Sequence, residues 1–150
     1  MHVNLHPMGR ILAIDYGNKR TGLAVTDEQK MIANGLTTVQ TSDLFSYLKD
    51  YLQREKVDLI VVGEPLDMQS NPSDASRFVD PFVKKLTKQF PDIPVKRMDE
   101  RFTSRMAFQT MIDAGLKKKA RRNKSLIDTI SACIILQSYL EQQSNAMSQL

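Results

Sequence analysis

The chain has 150 residues, 41% hydrophobic and 25% charged, the composition of an ordinary globular protein with one domain and enough length for a sizeable core. A single cysteine excludes a disulfide framework, two histidines near the N-terminus argue against a zinc site, and no apolar stretch is long enough to span a bilayer. The net charge of +4 is compatible with a nucleic-acid partner without requiring one.

Residues 1–8 are polar, lack the apolar centre of a secretory signal and read as a leader, so a cytoplasmic protein is expected. The first strand is predicted over Arg10–Ile14 and ends in Asp15-Tyr16-Gly17-Asn18, a turn-forming cluster. Thr21–Val25 reads as a second strand and Met31–Val39 as a third, which together suggest an antiparallel meander. Ser42 is placed to cap a helix running to about Arg54, with Leu44, Phe45, Leu48, Tyr51 and Leu52 on one face. The almost continuous apolar run Val57–Gly63 has the character of a central strand buried on both sides, stopped by Glu64-Pro65.

A polar loop follows to Ser73, where a helical pattern begins through Phe78, Val79, Phe82, Val83 and Leu86. Pro81 either kinks that helix or opens a second one capped by Asp80. Pro94–Met98 is a short strand leading into Asp99-Glu100-Arg101, and Thr103 to about Gly115 is a further helix. The final helix is predicted over Ser125–Gln142, so apolar in its first half that it must pack on the sheet, with residues 143–150 frayed. This order gives an α/β fold: a mixed five-stranded sheet, an antiparallel meander plus parallel strands, with helices on both faces.

Four acids stand out by position. Asp15 ends strand one, Glu64 ends strand four, Glu100 follows strand five, and Asp128 lies in the first turn of the last helix. With strand four beside strand one and strand five beside strand four, three of them share the sheet edge where open α/β sheets bind ligands. Carboxylates gathered in one place repel one another unless a cation lies between them, and Mg2+ or Mn2+ favours such oxygen donors. Two such ions suit in-line attack on phosphorus. Each acid also has a structural alternative: a turn residue at Asp15, a solvated strand end at Glu64, a helix-terminus charge at Glu100, and a capping-box partner of Ser125 at Asp128.

Asp15-Tyr16-Gly17-Asn18-Lys19-Arg20-Thr21-Gly22-Leu23-Ala24, Gly63-Glu64-Pro65-Leu66, Asp99-Glu100-Arg101-Phe102-Thr103, and Asp128 with Ser131-Ala132 together resemble the YqgF-type family. Its members are described both as Holliday-junction resolvases and as pre-16S rRNA nucleases, and the likeness runs from Met8 to about Glu141. The resemblance implies a ribonuclease H-like fold and a metal-dependent phosphodiesterase site, with Asp15, Glu100 and Asp128 at the family's acidic positions. At Glu64 the family more often has an apolar residue, yet more distant ribonuclease H-like enzymes carry a catalytic acid at this strand end. Glu64 is therefore included as a fourth metal ligand.

Lys19, Arg20 and Arg101 flank the acid edge and are candidates to hold phosphate; Arg101 is equally suited to orient Glu100. Six of the eight residues from Lys117 to Lys124 are basic: Lys117, Lys118, Lys119, Arg121, Arg122 and Lys124. Beside a phosphate-cleaving site this run is a candidate backbone clamp that reads charge rather than sequence. The expected activity is metal-dependent hydrolysis of nucleic acid, with 5′ processing of pre-16S rRNA favoured and a ribosomal particle as a candidate partner. The alternatives are resolution of four-way DNA, which needs two active sites and hence a dimer, and a non-catalytic RNA- or ribosome-associated factor. The sequence leaves monomer and dimer open.

Overall fold

In the computed structural model, residues 9–64, 76–99 and 124–148 are described. Five strands, β1 (Arg10–Asp15), β2 (Arg20–Thr26), β3 (Ala33–Gln40), β4 (Val57–Glu64) and β5 (Val95–Asp99), form one sheet in the order β3-β2-β1-β4-β5. The β1–β2 and β2–β3 pairs are antiparallel; β1–β4 and β4–β5 are parallel. The ends of β1, β3, β4 and β5 and the start of β2 therefore lie along one edge of the sheet. This is the expected mixed sheet, with the expected neighbours.

Helices α1 (Leu44–Arg54) and α2 (Ser76–Gln89) cover one face, and α3 (Lys124–Ser148) covers the other. Strand alternation decides which residue meets which layer. Leu12 and Ile14 of β1, with Ile60 and Val62 of β4, join the core beneath α1 and α2. Ile11, Ala13 and Val61 join Ile130, Cys133, Leu136 and Tyr139 of α3 on the other side. Burial pushes the Cys133 thiol up to about 11, as befits a small buried hydrophobe rather than a nucleophile.

Two local expectations are corrected and one open choice is settled. Ser42 does not cap α1: a 3-10 turn over Thr41–Asp43 leads in, and no side chain caps either segment. Tertiary bonds set that entry instead, because the Thr41 amide donates to the Lys19 carbonyl (2.9 Å) and its hydroxyl to the Gly17 carbonyl (2.6 Å). Of the two alternatives at Pro81, a second helix capped by Asp80 is excluded, since α2 is continuous through the proline. Val79, Phe82 and Leu86 recur at helical spacing on one buried face, and their burial outweighs the lost backbone bond. Finally, α3 runs to Ser148 rather than stopping at Gln142, so residues 143–148 are helix rather than frayed; no Gly or Pro interrupts that stretch. The predicted helix from Thr103 to Gly115 and the leader over residues 1–8 lie outside the described residues.

Candidate active site

Asp15 is the last residue of β1 and continues its odd-numbered face, the one covered by α3. Directly opposite, on β2, is Gly22. A Cβ at Gly22 would overlap the Asp128 carbonyl, so the missing side chain is what lets the first turn of α3 settle onto the sheet beside Asp15. Gly35 on β3 repeats the device, since a Cβ there would press on the Thr129 methyl. Alongside, the Thr38 and Thr129 hydroxyls share a 2.7 Å hydrogen bond that ties β3 to the same turn of α3.

Two carboxylates are thus brought together from opposite ends of the chain. Burial, and then the negative charge of Asp128, push the Asp15 carboxyl up from 3.8 to about 6. Arg20, the first residue of β2, donates from Nε to Asp128 Oδ2 at 2.8 Å and partly offsets the second charge. Asp128 therefore has a specific partner besides any helix-capping role.

The turn that presents Asp15 is held from both sides. Tyr16 faces the opposite layer and stacks on Phe82 of α2, with ring centroids 4.2 Å apart and planes inclined by 13°. The Thr21 and Thr41 hydroxyls share a 2.9 Å bond below the turn. Tyr16 and Gly22 were not among the residues singled out from sequence as functional. Gly22 did carry a signal, because a glycine inside a strand marks a close approach. The Tyr16–Phe82 stack carried none, as nothing local joins positions so far apart.

The structure does not bring Glu64 to this pair. In the parallel β1–β4 register Ile14 lies beside Val62, so the position level with Asp15 is Gly63, and Glu64 continues the face of Ile60 and Val62. That is the face of α1 and α2. There Arg97 of β5 holds Glu64 Oε1 at 2.8 Å through one guanidinium nitrogen and pairs with Asp80 of α2 through the other. Glu64 is accordingly engaged in an ion pair on the face opposite Asp15, and the structure does not bring it to the acid pair.

Lys19 and Arg20 lie at the predicted edge, both exposed. Glu100, Arg101, Lys117, Lys118, Lys119, Arg121 and Arg122 lie outside the described residues; Lys124 is the first residue of α3, and its side chain also lies outside them. Among the described residues no group of three or more acids, histidines or cysteines is arranged to hold a metal. The two that converge are hard oxygen donors, and one of them is raised by burial and by the charge of the other. That is the electrostatic situation a divalent cation relieves, so the donors fit Mg2+ or Mn2+ as two members of a ligand set. Among the described residues no helix is long and apolar enough to cross a membrane.

Comparison with known proteins agrees with this architecture. Over 133 residues the chain is 59% identical to a protein of Christiangramia forsetii named "Putative pre-16S rRNA nuclease", covering 89% of this chain and 98% of that one. A protein of the same name from Flavobacterium psychrophilum is 54% identical over 136 residues, covering 91% and 99%. Among solved structures, the T. thermophilus RuvC in complex with Holliday junction substrate superposes with a TM-score of 0.56 at 14% identity, covering 90% of this chain and 96% of that one. The Fowlpox virus resolvase, solved with substrate Holliday junction DNA, gives 0.55 at 14% identity, covering 89% and 98%. At that identity the likeness concerns the fold, which is ribonuclease H-like. The model of the RuvX family, described as Holliday junction resolvase, matches residues 9–142. The chain belongs to the RuvX family, whose curated relatives are named as nucleases.

Proposed function

We propose that this chain is a single-domain nuclease of the cytoplasm that hydrolyses phosphodiester bonds in precursor 16S rRNA, trimming its 5′ end, with Asp15 and Asp128 at the reacting phosphate. The observation that carries this reading is their convergence: a strand-end carboxyl and a helix carboxylate share one face, and Asp15 is raised to about 6 by burial and by Asp128. Uncompensated burial of this kind costs stability and is characteristic of functional sites. The names of the relatives support the RNA substrate.

Asp15 and Asp128 would hold Mg2+ or Mn2+, together with Glu100. Glu100 enters as the third acidic position supplied by the likeness to the family, following β5 in the sequence. When bound, the ion supplies positive charge to the phosphoryl oxygens and lowers the barrier to attack by water. The chain's own groups do the rest. Lys19 and Arg20 hold phosphates of the strand beside the acid pair, and Arg20 keeps Asp128 in place until substrate arrives. Arg101 and the basic run from Lys117 to Lys124 clamp backbone farther along, without reading sequence. The precursor is met as part of a ribosomal particle.

Hydrolysis of four-way DNA is the second reading, favoured by the description of the matching family. It requires two sites acting on symmetric strands, hence a dimer. Single-turnover cleavage of a precursor 16S rRNA fragment, with Asp15→Asn as control, tests the first reading. Cleavage by the parent chain and none by the variant is expected; an active variant would remove Asp15 from the site.

A further inference from the structure

Two strands away from Asp15, on the same edge of the sheet, lies a hollow of about 550 Å3 between the β1–β2 turn and the end of β3. Its walls are Asn18, Lys19 and Arg20 on one side and Thr38, Gln40 and Ser42 on the other. Arg20 is paired with Gln40, and Gly22 with Thr38, across β2 and β3. Cross-strand partners share a face, so Arg20, Thr38 and Gln40 lie on the face that carries Asp15 and Gly22. The hollow and the acid pair are therefore parts of one surface, separated by about two strand spacings, roughly 10 Å. Arg20 belongs to both, lining the hollow and bonding Asp128.

The chemistry of the lining is specific in two respects. Arg20 and Lys19 are cationic, and among the described residues no acid lines the hollow. The Asn18 and Gln40 amides, the Ser42 hydroxyl and the Lys19 ammonium make no hydrogen bond among the described residues. The walls themselves are fixed, because Thr41 bonds to Gly17 and Lys19 on the facing turn. Unspent donors and acceptors on a tied backbone, around a hollow of this size, suit a small polar ligand with one anionic group.

We infer that this hollow is a nucleotide subsite, which takes a nucleotide flanking the scissile phosphodiester with its phosphate on Lys19 and its sugar or base edge on Gln40, Asn18 and Ser42. This rests on the nuclease reading for its biological sense, and it assigns the substrate strand a direction across β2 and β3. Gln40 and Ser42 are then binding residues for the flanking nucleotide and take no part in bond cleavage.

The test has two arms, both on the full chain. In the first, uridine 5′-monophosphate is titrated in EDTA while backbone amide shifts are followed. Saturable shifts at residues 18–20 and 38–42 are expected. They should weaken about tenfold in the Gln40→Ala/Ser42→Ala double variant, the loss of one to two hydrogen bonds. Inorganic phosphate should bind about tenfold more weakly than the nucleotide, for the same reason. Absence of shifts there, an undiminished response in the double variant, or equal binding of phosphate and nucleotide would overturn the subsite. In the second arm, the double variant should raise KM for the cleaved substrate about tenfold with kcat within about twofold; an unchanged KM would also overturn it. If the parent chain cleaves nothing, the nuclease reading fails while the titration still decides the subsite. If cleavage depends on Asp15 but the titration is silent, the subsite alone fails.

Discussion

Asp15 carries an energetic cost that its neighbours do not remove. A rise from 3.8 to about 6 corresponds to about 3 kcal/mol against the ionised form. Because the folded-state value exceeds the unfolded one, this penalty is absent below about pH 4, grows between about pH 4 and 6, and is fully present above that. Asp15→Asn should therefore stabilise the metal-free protein by about 1–3 kcal/mol at pH 8 and by almost nothing at pH 3.5, read from thermal melts in EDTA. The same variant should lose cleavage by a factor of about a thousand or more. A melt unchanged at pH 8 would show that Asp15 is not held against its charge. Glu64→Gln should behave in the opposite way. It breaks an ion pair to Arg97 on the far face, so the melt should fall slightly while cleavage stays within about threefold. The sequence made Asp15 legible, because an acid ending an apolar strand before a glycine turn is conspicuous. It did not make the side of Glu64 legible. β4 is apolar on both faces, so its own pattern has no alternation, and only the register of Val62 against Ile14 fixes which way Glu64 turns.

The site depends on how closely α3 approaches β2, and Gly22 sets that distance. Gly22→Ala would place a methyl against the Asp128 carbonyl, forcing the start of α3 away from the sheet. A loss of about 1–3 kcal/mol is expected, as for other overpacked positions. Cleavage should fall with it, and the Asp15 carboxyl should titrate lower than in the parent as its burial under α3 and then the charge of Asp128 lessen; an unchanged titration in this variant would separate Gly22 from the site. At this scale much of the fold was readable. β1, β2 and β4 came from short apolar runs bounded by turn residues, β3 and β5 are more polar, and the strand order followed from a meander joined to crossover connections. What escaped was the entry to α1, fixed by Thr41 against the β1–β2 turn, and what stayed open was the choice between one helix and two at Pro81, decided by burial of Val79, Phe82 and Leu86. The meeting of Asp15 with Asp128 was suggested by family resemblance. Their physical approach depends on Gly22, a residue whose importance shows only once α3 is in position.

For the molecule as a whole, charge is unevenly spread. Six of the eight residues from Lys117 to Lys124 are basic, and the run leads into the helix that carries Asp128. If the clamp works through phosphates, replacing Lys117, Lys118 and Lys119 by Gln should lower the slope of log affinity against log salt by up to about 2 on single-stranded RNA. Binding should weaken without any change in sequence preference, and an unchanged slope would place these lysines off the substrate. The most direct measurement compares a precursor 16S rRNA fragment with a four-way DNA junction under identical conditions. Each is incubated with the full chain in Mg2+ or Mn2+, with Asp15→Asn alongside. Cleavage of the RNA that disappears in the variant, with the junction left intact, is the result predicted. Paired symmetric cuts in the junction alone would contradict the choice of substrate, and cleavage of neither, or full activity in Asp15→Asn, would contradict the nuclease site itself.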